Sequence, residues 1–276
     1  MRRAAHQLHD ASPLVFDDPF ALRLLPDEAE AEVRANSNGA HPISRAMRSW
    51  MVARSRFAEE ELARAIGRGA RQYVLLGAGL DTFAWRNPFR SEGLHIFEVD
   101  HPATQKWKRE LAVKSGLDEP ENTRYVSVDF ERDSLGECLA RAGFDIAAPA
   151  FFSWLGVVPY LTLAAFRQTI EYLGKAPAGG GLVFDYSLPV EALSAKERSF
   201  QGYVTARVAQ AGEPFRLFFR PEEVKEELQR AGWAVTADLD GARLQERYFD
   251  GRTDGLGLRG RAGHVLSAEI VARGQS

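Results

Sequence analysis

Short apolar runs alternate with longer amphipathic segments along most of the chain. Period-2 or fully apolar runs predict seven β-strands, at residues 72–76, 94–100, 124–129, 150–155, 181–186, 233–239 and 264–272. Helical spacing of apolar residues predicts helices at 44–66, 101–116, 131–142, 162–173 and 221–231. The pattern from about residue 13 to residue 68 is helical, with breaks near Pro26 and at residues 36–39.

This alternation of strand and helix predicts an α/β fold with a doubly wound, mostly parallel seven-stranded sheet. Only a loop, residues 240–263, separates the last two strands, so we expect an antiparallel strand at one edge. We expect one domain over residues 1–276, with residues 1–70 as an N-terminal helical cap. Residues 188–218 interrupt the alternation and predict a helical lid insertion.

Composition narrows the class of protein to a globular one. The chain is 45% hydrophobic and 26% charged, with a net charge of −3, which argues against general nucleic-acid binding. Cys138 is the single cysteine and the six histidines are scattered, so we expect neither a disulfide nor a metal site. No apolar run is long enough to cross a membrane and no secretion signal is visible, so we expect a cytoplasmic protein.

Candidate chemistry follows three successive predicted strands. Gly77, Ala78 and Gly79 come directly after the first strand, where glycines let the backbone approach a ligand closely. Asp100 ends the second strand, at the spacing at which nucleotide-type sites place an acidic ligand for ribose hydroxyls. Asp129 ends the third strand and is followed by Phe130, a pair that suits the amine and the ring face of adenine. Each feature alone also fits a tight turn, a helix cap or a core residue, but three together favour a ligand site.

The glycine turn departs from the dinucleotide-binding fingerprint. Thr82 stands where the third glycine would be, and Asp81 would repel a phosphate. A cofactor with adenine, ribose and a cationic end fits better, and S-adenosylmethionine has that chemistry. A nicotinamide-dependent oxidoreductase remains an alternative at this point.

Residues 75–86 (LLGAGLDTFAWR), 97–102 (FEVDHP) and 128–130 (VDF) resemble the leucine carboxyl methyltransferase family. That family includes protein-phosphatase carboxyl methyltransferases and bacterial polyketide carboxyl O-methyltransferases, and the second branch is the more similar. The resemblance extends over about residues 44–272. It implies a Rossmann-like class I fold and methyl transfer from S-adenosyl-L-methionine, with EC class 2.1.1.

The resemblance also implies roles for single residues. Asp100 would hold the ribose, Asp129 and Phe130 would frame the adenine, and the Gly77–Gly79 turn would face the methionine portion. Arg54, in the string Ala-Arg-Ser at 53–55, resembles the family's arginine that pairs with the cofactor carboxylate. A surface arginine is otherwise an ordinary solvated charge.

One position departs from the family pattern. Where the family has Glu-Gly-Val-x-x-Tyr-Leu, residues 155–161 begin with Leu155 in place of the acid. The contact that this carboxylate makes in the family is therefore absent at that position. A protein that binds the cofactor without catalysis is the alternative that this loss leaves open.

The acceptor is expected to be a small molecule with a carboxylate or another oxygen, such as a carboxylic acid, a secondary metabolite or a peptide C-terminus. Tyr160 and Tyr203 are the candidate acceptor-binding residues, beside the N-terminal helices and the insertion at 188–218. No catalytic residue is nominated, because a carboxylate is already ionised at neutral pH and needs no general base. His101 is better explained as a cap of the next helix than as a base.

Overall fold

The computed structural model of the chain describes residues 1–35, 41–129, 132–210 and 212–271. Seven strands form one sheet in the order β3-β2-β1-β4-β5-β7-β6. They are β1 Gln72–Leu76, β2 His95–Asp100, β3 Thr123–Ser127, β4 Ala150–Trp154, β5 Gly181–Ser187, β6 Trp233–Asp240 and β7 Gly263–Ile270. β7 is antiparallel to both of its neighbours, whereas the first five strands pair in parallel. The predicted sheet, with an antiparallel pair at one edge, is confirmed.

Ten α-helices lie within the described ranges. They are α1 Arg2–His9, α2 Asp27–Ala35, α3 Pro42–Gly67, α4 Phe83–Arg86, α5 Pro102–Lys114, α6 Leu135–Arg141, α7 Leu163–Leu173, α8 Ala195–Gln210, α9 Pro221–Arg230 and α10 Gly241–Tyr248. Side-chain caps explain where several of these helices begin. The hydroxyls of Ser134 and Thr162 accept backbone N–H groups at the first turns of α6 and α7, as N-cap residues do.

The N-terminal segment differs from its predicted pattern. α1 lies ahead of the predicted helical stretch, and residues 13–25 form turns without an α-helix. The buried side chain of His6 explains the difference, because its Nε2 accepts the N–H groups of Val15 and Phe16 at 3.1 and 3.3 Å. These bonds hold the following segment against α1 and give two of its N–H groups a side-chain acceptor in place of a helical one.

The connection between the last two strands is also not a plain loop, because it contains α10. Asp240 accepts the N–H of Arg243 at 3.0 Å and so caps this helix. Leu244 is completely buried against the core on the α3 side of the sheet. A short helix with one buried anchor is hard to separate from a polar loop by periodicity alone.

Two apolar layers cover the two faces of the sheet. In β4, Phe152 and Trp154 pack on the side of α7, while Phe151 packs on the side of α3. Because β1 and β4 are buried along their whole length, a polar ligand has no access to their middle. Polar positions such as Asp100 and Asp185 lie towards the carboxyl ends of the strands, where ligands bind in open α/β sheets.

Candidate active site

The glycine turn after β1 is held against the end of β2. The N–H groups of Gly77 and Ala78 both donate to the carbonyl oxygen of Val99, at 2.8 and 3.0 Å. Gly77 has φ +69°, and a Cβ there would lie 2.4 Å from Cγ2 of Val157. Gly79 has φ +49°, and a Cβ there would meet no described atom within 4 Å. The turn is therefore tight at Gly77 and open at Gly79.

Asp100 lies beside this turn at the end of β2. Its Oδ2 accepts the N–H of Gly79 at 2.6 Å, and its Oδ1 accepts the N–H of His101 at 2.7 Å. Each carboxylate oxygen has a second lone pair, so the partly exposed group can still accept two ligand hydroxyls. The ring of His101 caps α5, since its Nδ1 accepts the N–H of Ala103 at 3.2 Å.

Asp129 lies two residues beyond the end of β3, next to Asp100. The N–H of Val128 donates to the carbonyl oxygen of Asp100 at 3.0 Å, which brings the two strand ends together. Oδ2 of Asp129 lies 3.7 Å from Nε of Arg132. Phe130, the predicted ring partner of adenine, lies outside the described residues.

Arg54 extends from α3 to the carboxyl ends of β4 and β5. Its Nη1 donates to Oδ2 of Asp185 at 2.6 Å, and the two side chains are 14% and 6% exposed. Oδ1 of Asp185 accepts the N–H of Gly156 at 2.5 Å. No sequence pattern predicted Asp185 as a site residue. The only sequence signal was an acidic residue near the end of an otherwise apolar strand.

Asp81 forms an ion pair with the N-terminal helix. Its Oδ2 accepts Nη1 of Arg3 at 2.8 Å, and Nη2 of Arg3 donates to the carbonyl oxygen of Leu80 at 2.9 Å. Burial acts to raise the pKa of Asp81, but the positive charges of Arg3, Arg86 and Lys108 outweigh it and lower that pKa to about 2. The carboxylate is thus ionised and held by the protein's own arginine.

The same cluster continues beneath the glycine turn. The hydroxyl of Thr82 donates to Oδ1 of the fully buried Asp18 at 2.6 Å, and Nε of Arg86 donates to that hydroxyl at 3.1 Å. Nη2 of Arg86 also donates to Oε1 of Glu59 at 2.6 Å. Thr82, which replaces the third glycine of the dinucleotide fingerprint, is therefore part of a buried polar network.

The two predicted acceptor-binding tyrosines lie in different surroundings. Tyr160 is partly buried, and its ring meets that of Phe215 edge to face at a centroid distance of 5.1 Å. Burial, with the negative charge of Glu213 as the next contribution, raises the pKa of Tyr160; Arg54 is close enough to oppose this rise. Tyr203 is on α8 and 46% exposed, and its hydroxyl lies 3.4 Å from Nη1 of Arg207.

Together these groups lie at the carboxyl end of the sheet. A partly exposed carboxylate, an open glycine turn and an arginine–aspartate pair occupy the ends of β1, β2, β4 and β5. Groups of these kinds can accept ligand hydroxyls and pair with both charges of an amino acid. A Rossmann-like sheet with such groups at its carboxyl end is the arrangement expected of enzymes that transfer methyl groups from S-adenosylmethionine.

Comparison with known proteins gives the family. A model of the leucine carboxyl methyltransferase family matches residues 1–174. A Bacillus subtilis (strain 168) protein named as the S-adenosyl-L-methionine-dependent methyltransferase YktD is 30% identical, over 92% of this chain and 90% of its own length. The chain belongs to the leucine carboxyl methyltransferase family and is an S-adenosylmethionine-dependent methyltransferase. The resemblance is confirmed, and the nicotinamide alternative is discarded.

Solved structures share the fold at low sequence identity. A methyltransferase from Thermobifida fusca aligns with a TM-score of 0.61 and 16% identity, over 99% of this chain and 95% of its own. Magnesium protoporphyrin IX methyltransferase from Synechocystis, solved with bound S-adenosylhomocysteine, aligns with a TM-score of 0.50 and 11% identity. This alignment covers 89% of this chain and 100% of that one. The predicted Rossmann-like fold is thereby confirmed.

The described residues contain neither a candidate membrane-spanning helix nor a candidate metal cluster. No helix among them has the length and apolar character to cross a membrane. No group of three or more His, Cys, Asp or Glu side chains within the described ranges could hold a metal ion.

Proposed function

We propose that this methyltransferase acts on an oxygen of a small molecule, and that the oxygen belongs to a carboxylate. The observation that carries the proposal is the state of the polar groups around Tyr160. An ordinary tyrosine is already protonated at neutral pH, and burial raises the pKa of the Tyr160 phenol further, so this hydroxyl can donate a hydrogen bond but is no general base. The neighbouring carboxylate of Asp185 is ion-paired with Arg54 and accepts the N–H of Gly156, which makes it a poor general base while its remaining lone pairs can still accept hydrogen bonds.

A carboxylate acceptor suits such a site because it is ionised near pH 7 without help. A phenol or an alcohol would need a base within hydrogen-bond reach. His101, the histidine that directly follows Asp100, uses its Nδ1 to cap α5. The family description, which specifies a carboxyl acceptor, supports the same conclusion.

The cofactor supplies an electrophilic methyl group on a sulfonium when it is bound. We infer that Asp100 accepts the ribose hydroxyls and that Asp129, with Phe130, borders the adenine. The turn formed by Gly77, Ala78 and Gly79 would face the methionine portion. The position of Asp100 beside the open Gly79 supports this assignment.

The acceptor is inferred to bind between Tyr160 and the segment that follows α8. The N–H groups of Arg216 and Leu217 donate to the carbonyl oxygen of Pro159 at 2.7 and 3.1 Å, which fixes this segment next to Tyr160. Phe215 and Phe218 are partly exposed there, with ring centroids 6.3 Å apart. Their apolar rings would exclude water from the reacting oxygen. The predicted lid at residues 188–218 and the cap at residues 1–70 remain proposals for closing this region.

The experiment is methyl transfer from tritiated S-adenosylmethionine to a deproteinised bacterial extract and to phenylacetate, hexanoate and 4-ethylphenol. Methyl esters release volatile methanol in alkali, whereas methyl ethers and methylamines do not. We expect base-labile label that depends on the wild-type enzyme and is lost in Asp100→Asn. Label that is entirely base-stable, or no label in any sample, would contradict the carboxylate assignment.

A further inference from the structure

Arg54 and Asp185 form an ion pair that joins α3 to β5 across 131 positions of sequence. Both side chains are mostly buried, and Nη1 of Arg54 lies 2.6 Å from Oδ2 of Asp185. Burying two charges is costly unless they have a partner or a ligand, so such a pair calls for an explanation. Its position at the carboxyl end of the sheet makes a ligand-binding role worth testing.

The pair is part of the wall next to the glycine turn. Asp185 also accepts the N–H of Gly156, and a Cβ at Gly156 would lie 2.9 Å from Nη2 of Arg54. The next residue, Val157, is the one that a Cβ at Gly77 would meet. The guanidinium, the carboxylate and the turn after β4 therefore contact one another and adjoin the turn assigned to the methionine portion.

An α-amino acid carries one carboxylate and one ammonium group on the same carbon. Arg54 and Asp185 offer one group of the opposite charge for each. A guanidinium has five N–H donors and a carboxylate has about four lone-pair positions. The bond between them therefore leaves donors on Arg54 and acceptors on Asp185 for a ligand.

The register of the sheet relates Asp185 to the acid that this chain lacks. Trp154, the last residue of β4, pairs with Phe184 of β5, so Leu155 directly after β4 and Asp185 within β5 are the next residues along the two chains. The family's acidic residue stands at position 155. A carboxylate is thus present at the same level of the sheet, one strand further along.

We propose that Asp185 binds the α-ammonium group of the cofactor, beside Arg54, the arginine that the family resemblance assigns to the cofactor carboxylate, so that Asp185 replaces the acid missing at position 155. The proposal rests on the cofactor site described under the proposed function. Arg54 and Asp185 hold each other before binding, which orients both groups and lowers the cost of ordering them. The pair selects a zwitterionic amino-acid end over an uncharged one.

The test is calorimetric binding of S-adenosylhomocysteine and of two analogues to the full chain. One analogue has hydrogen in place of the ammonium group, and the other has hydrogen in place of the carboxylate. Asp185→Asn should lower the affinity for S-adenosylhomocysteine by about tenfold or more, yet change the affinity for the ammonium-free analogue by less than about twofold. Arg54→Gln should lower the affinity for the ammonium-free analogue but leave the affinity for the carboxylate-free analogue unchanged.

If Asp185 had only a structural role, Asp185→Asn would lower the affinity for all three ligands alike, and that result would overturn the proposal. Leu155→Glu in the Asp185→Asn background should restore part of the lost affinity for S-adenosylhomocysteine. If Asp185→Asn fails to fold because Arg54 is left unpaired, Arg54→Gln is compared with the double variant Arg54→Gln, Asp185→Asn. The preference for the ammonium group should then disappear only in the double variant.

The outcomes separate the two proposals. If the wild-type chain binds S-adenosylhomocysteine and its ammonium-free analogue equally, Asp185 has no role towards the ammonium group and the cofactor site stands. If Asp100→Asn also leaves the affinity for S-adenosylhomocysteine unchanged, the proposed cofactor site itself is wrong.

Discussion

Arg3 and Asp81 are 78 positions apart in sequence, and Nη1 of Arg3 lies 2.8 Å from Oδ2 of Asp81. This contact joins the first helix to the turn that follows β1. Nε of Arg3 also lies 3.4 Å from Oδ2 of the fully buried Asp18. The N-terminal segment is thus bound to the proposed cofactor turn by charge, in addition to its apolar packing.

The first prediction concerns pH. Asp81 has a pKa of about 2 in the folded protein against 3.8 for the free side chain, so its ionised form stabilises the fold. That stability is fully present above pH 4, about the unfolded pKa, and is lost as the pH falls towards 2. Asp81→Asn should lower the free energy of unfolding by about 2 kcal/mol at pH 7.

Urea unfolding of both proteins between pH 7 and pH 2 would measure this difference. The gap between wild type and Asp81→Asn should close as the pH approaches 2. The exposed Asp17, changed to Asn, is the matched control and should show no such gap. A gap that stays constant with pH would mean that the charge of Asp81 is not what stabilises the turn.

The second prediction concerns Asp100. Asp100→Asn should weaken S-adenosylhomocysteine about 10- to 100-fold, because charge-assisted hydrogen bonds to the ribose are lost. It should weaken 5′-methylthioadenosine by the same factor, since both ligands share the ribose. Calorimetric titration gives both affinities, and Asp118→Asn, at an exposed position, is the control. An unequal loss for the two ligands would place Asp100 near the amino-acid end instead.

The third prediction compares two glycines of the turn. Gly77→Ala should lower the free energy of unfolding by at least about 2 kcal/mol, because of its positive φ and the Cβ clash with Val157. Gly79→Ala, with positive φ but open space, should cost only about 1 kcal/mol. Val157→Ala should relieve part of the Gly77→Ala effect in urea unfolding. Equal costs at the two glycines would show that backbone strain alone accounts for both.

The fourth prediction concerns a fully buried ion pair beneath the site. Nζ of Lys108 lies 2.5 Å from Oε2 of Glu98, and both side chains are 1% exposed. Lys108→Met leaves Glu98 unpaired and should lower the free energy of unfolding by about 3–5 kcal/mol. The double variant Glu98→Gln, Lys108→Met should be less destabilised than the single one.

Chemical denaturation of the three proteins measures these differences. Lys106→Met on the same helix is the matched control, since Lys106 is 79% exposed and its pair with Glu110 is long, at 3.9 Å. This change should stay within about 0.5 kcal/mol of wild type. A double variant as unstable as Lys108→Met would show that the lost packing of Lys108, rather than the unpaired charge, is responsible.

Local pattern was enough for the strands and for part of the candidate site. Gly77 follows an apolar run and Asp100 ends one, and parallel strands bring their carboxyl ends to the same end of the sheet. In the structure the N–H of Gly79 donates to the carboxylate of Asp100, which joins the glycine turn to the end of β2. The pattern was weaker where an element depends on one tertiary contact, as in α10, which is anchored by Leu244.

The sequence by itself determined the seven strands, the main helices between them, the sheet class, the glycine turn and the family, because these depend on local periodicity and short motifs. Only the tertiary structure decided which charges meet: Arg54 with Asp185, Arg3 with Asp81, and Lys108 with Glu98. The first two of these pairs join residues far apart in the chain, and each of the three connects a helix to a strand or to the turn after β1. The packing of helices on the sheet sets their partners, and no local pattern of residues encodes it.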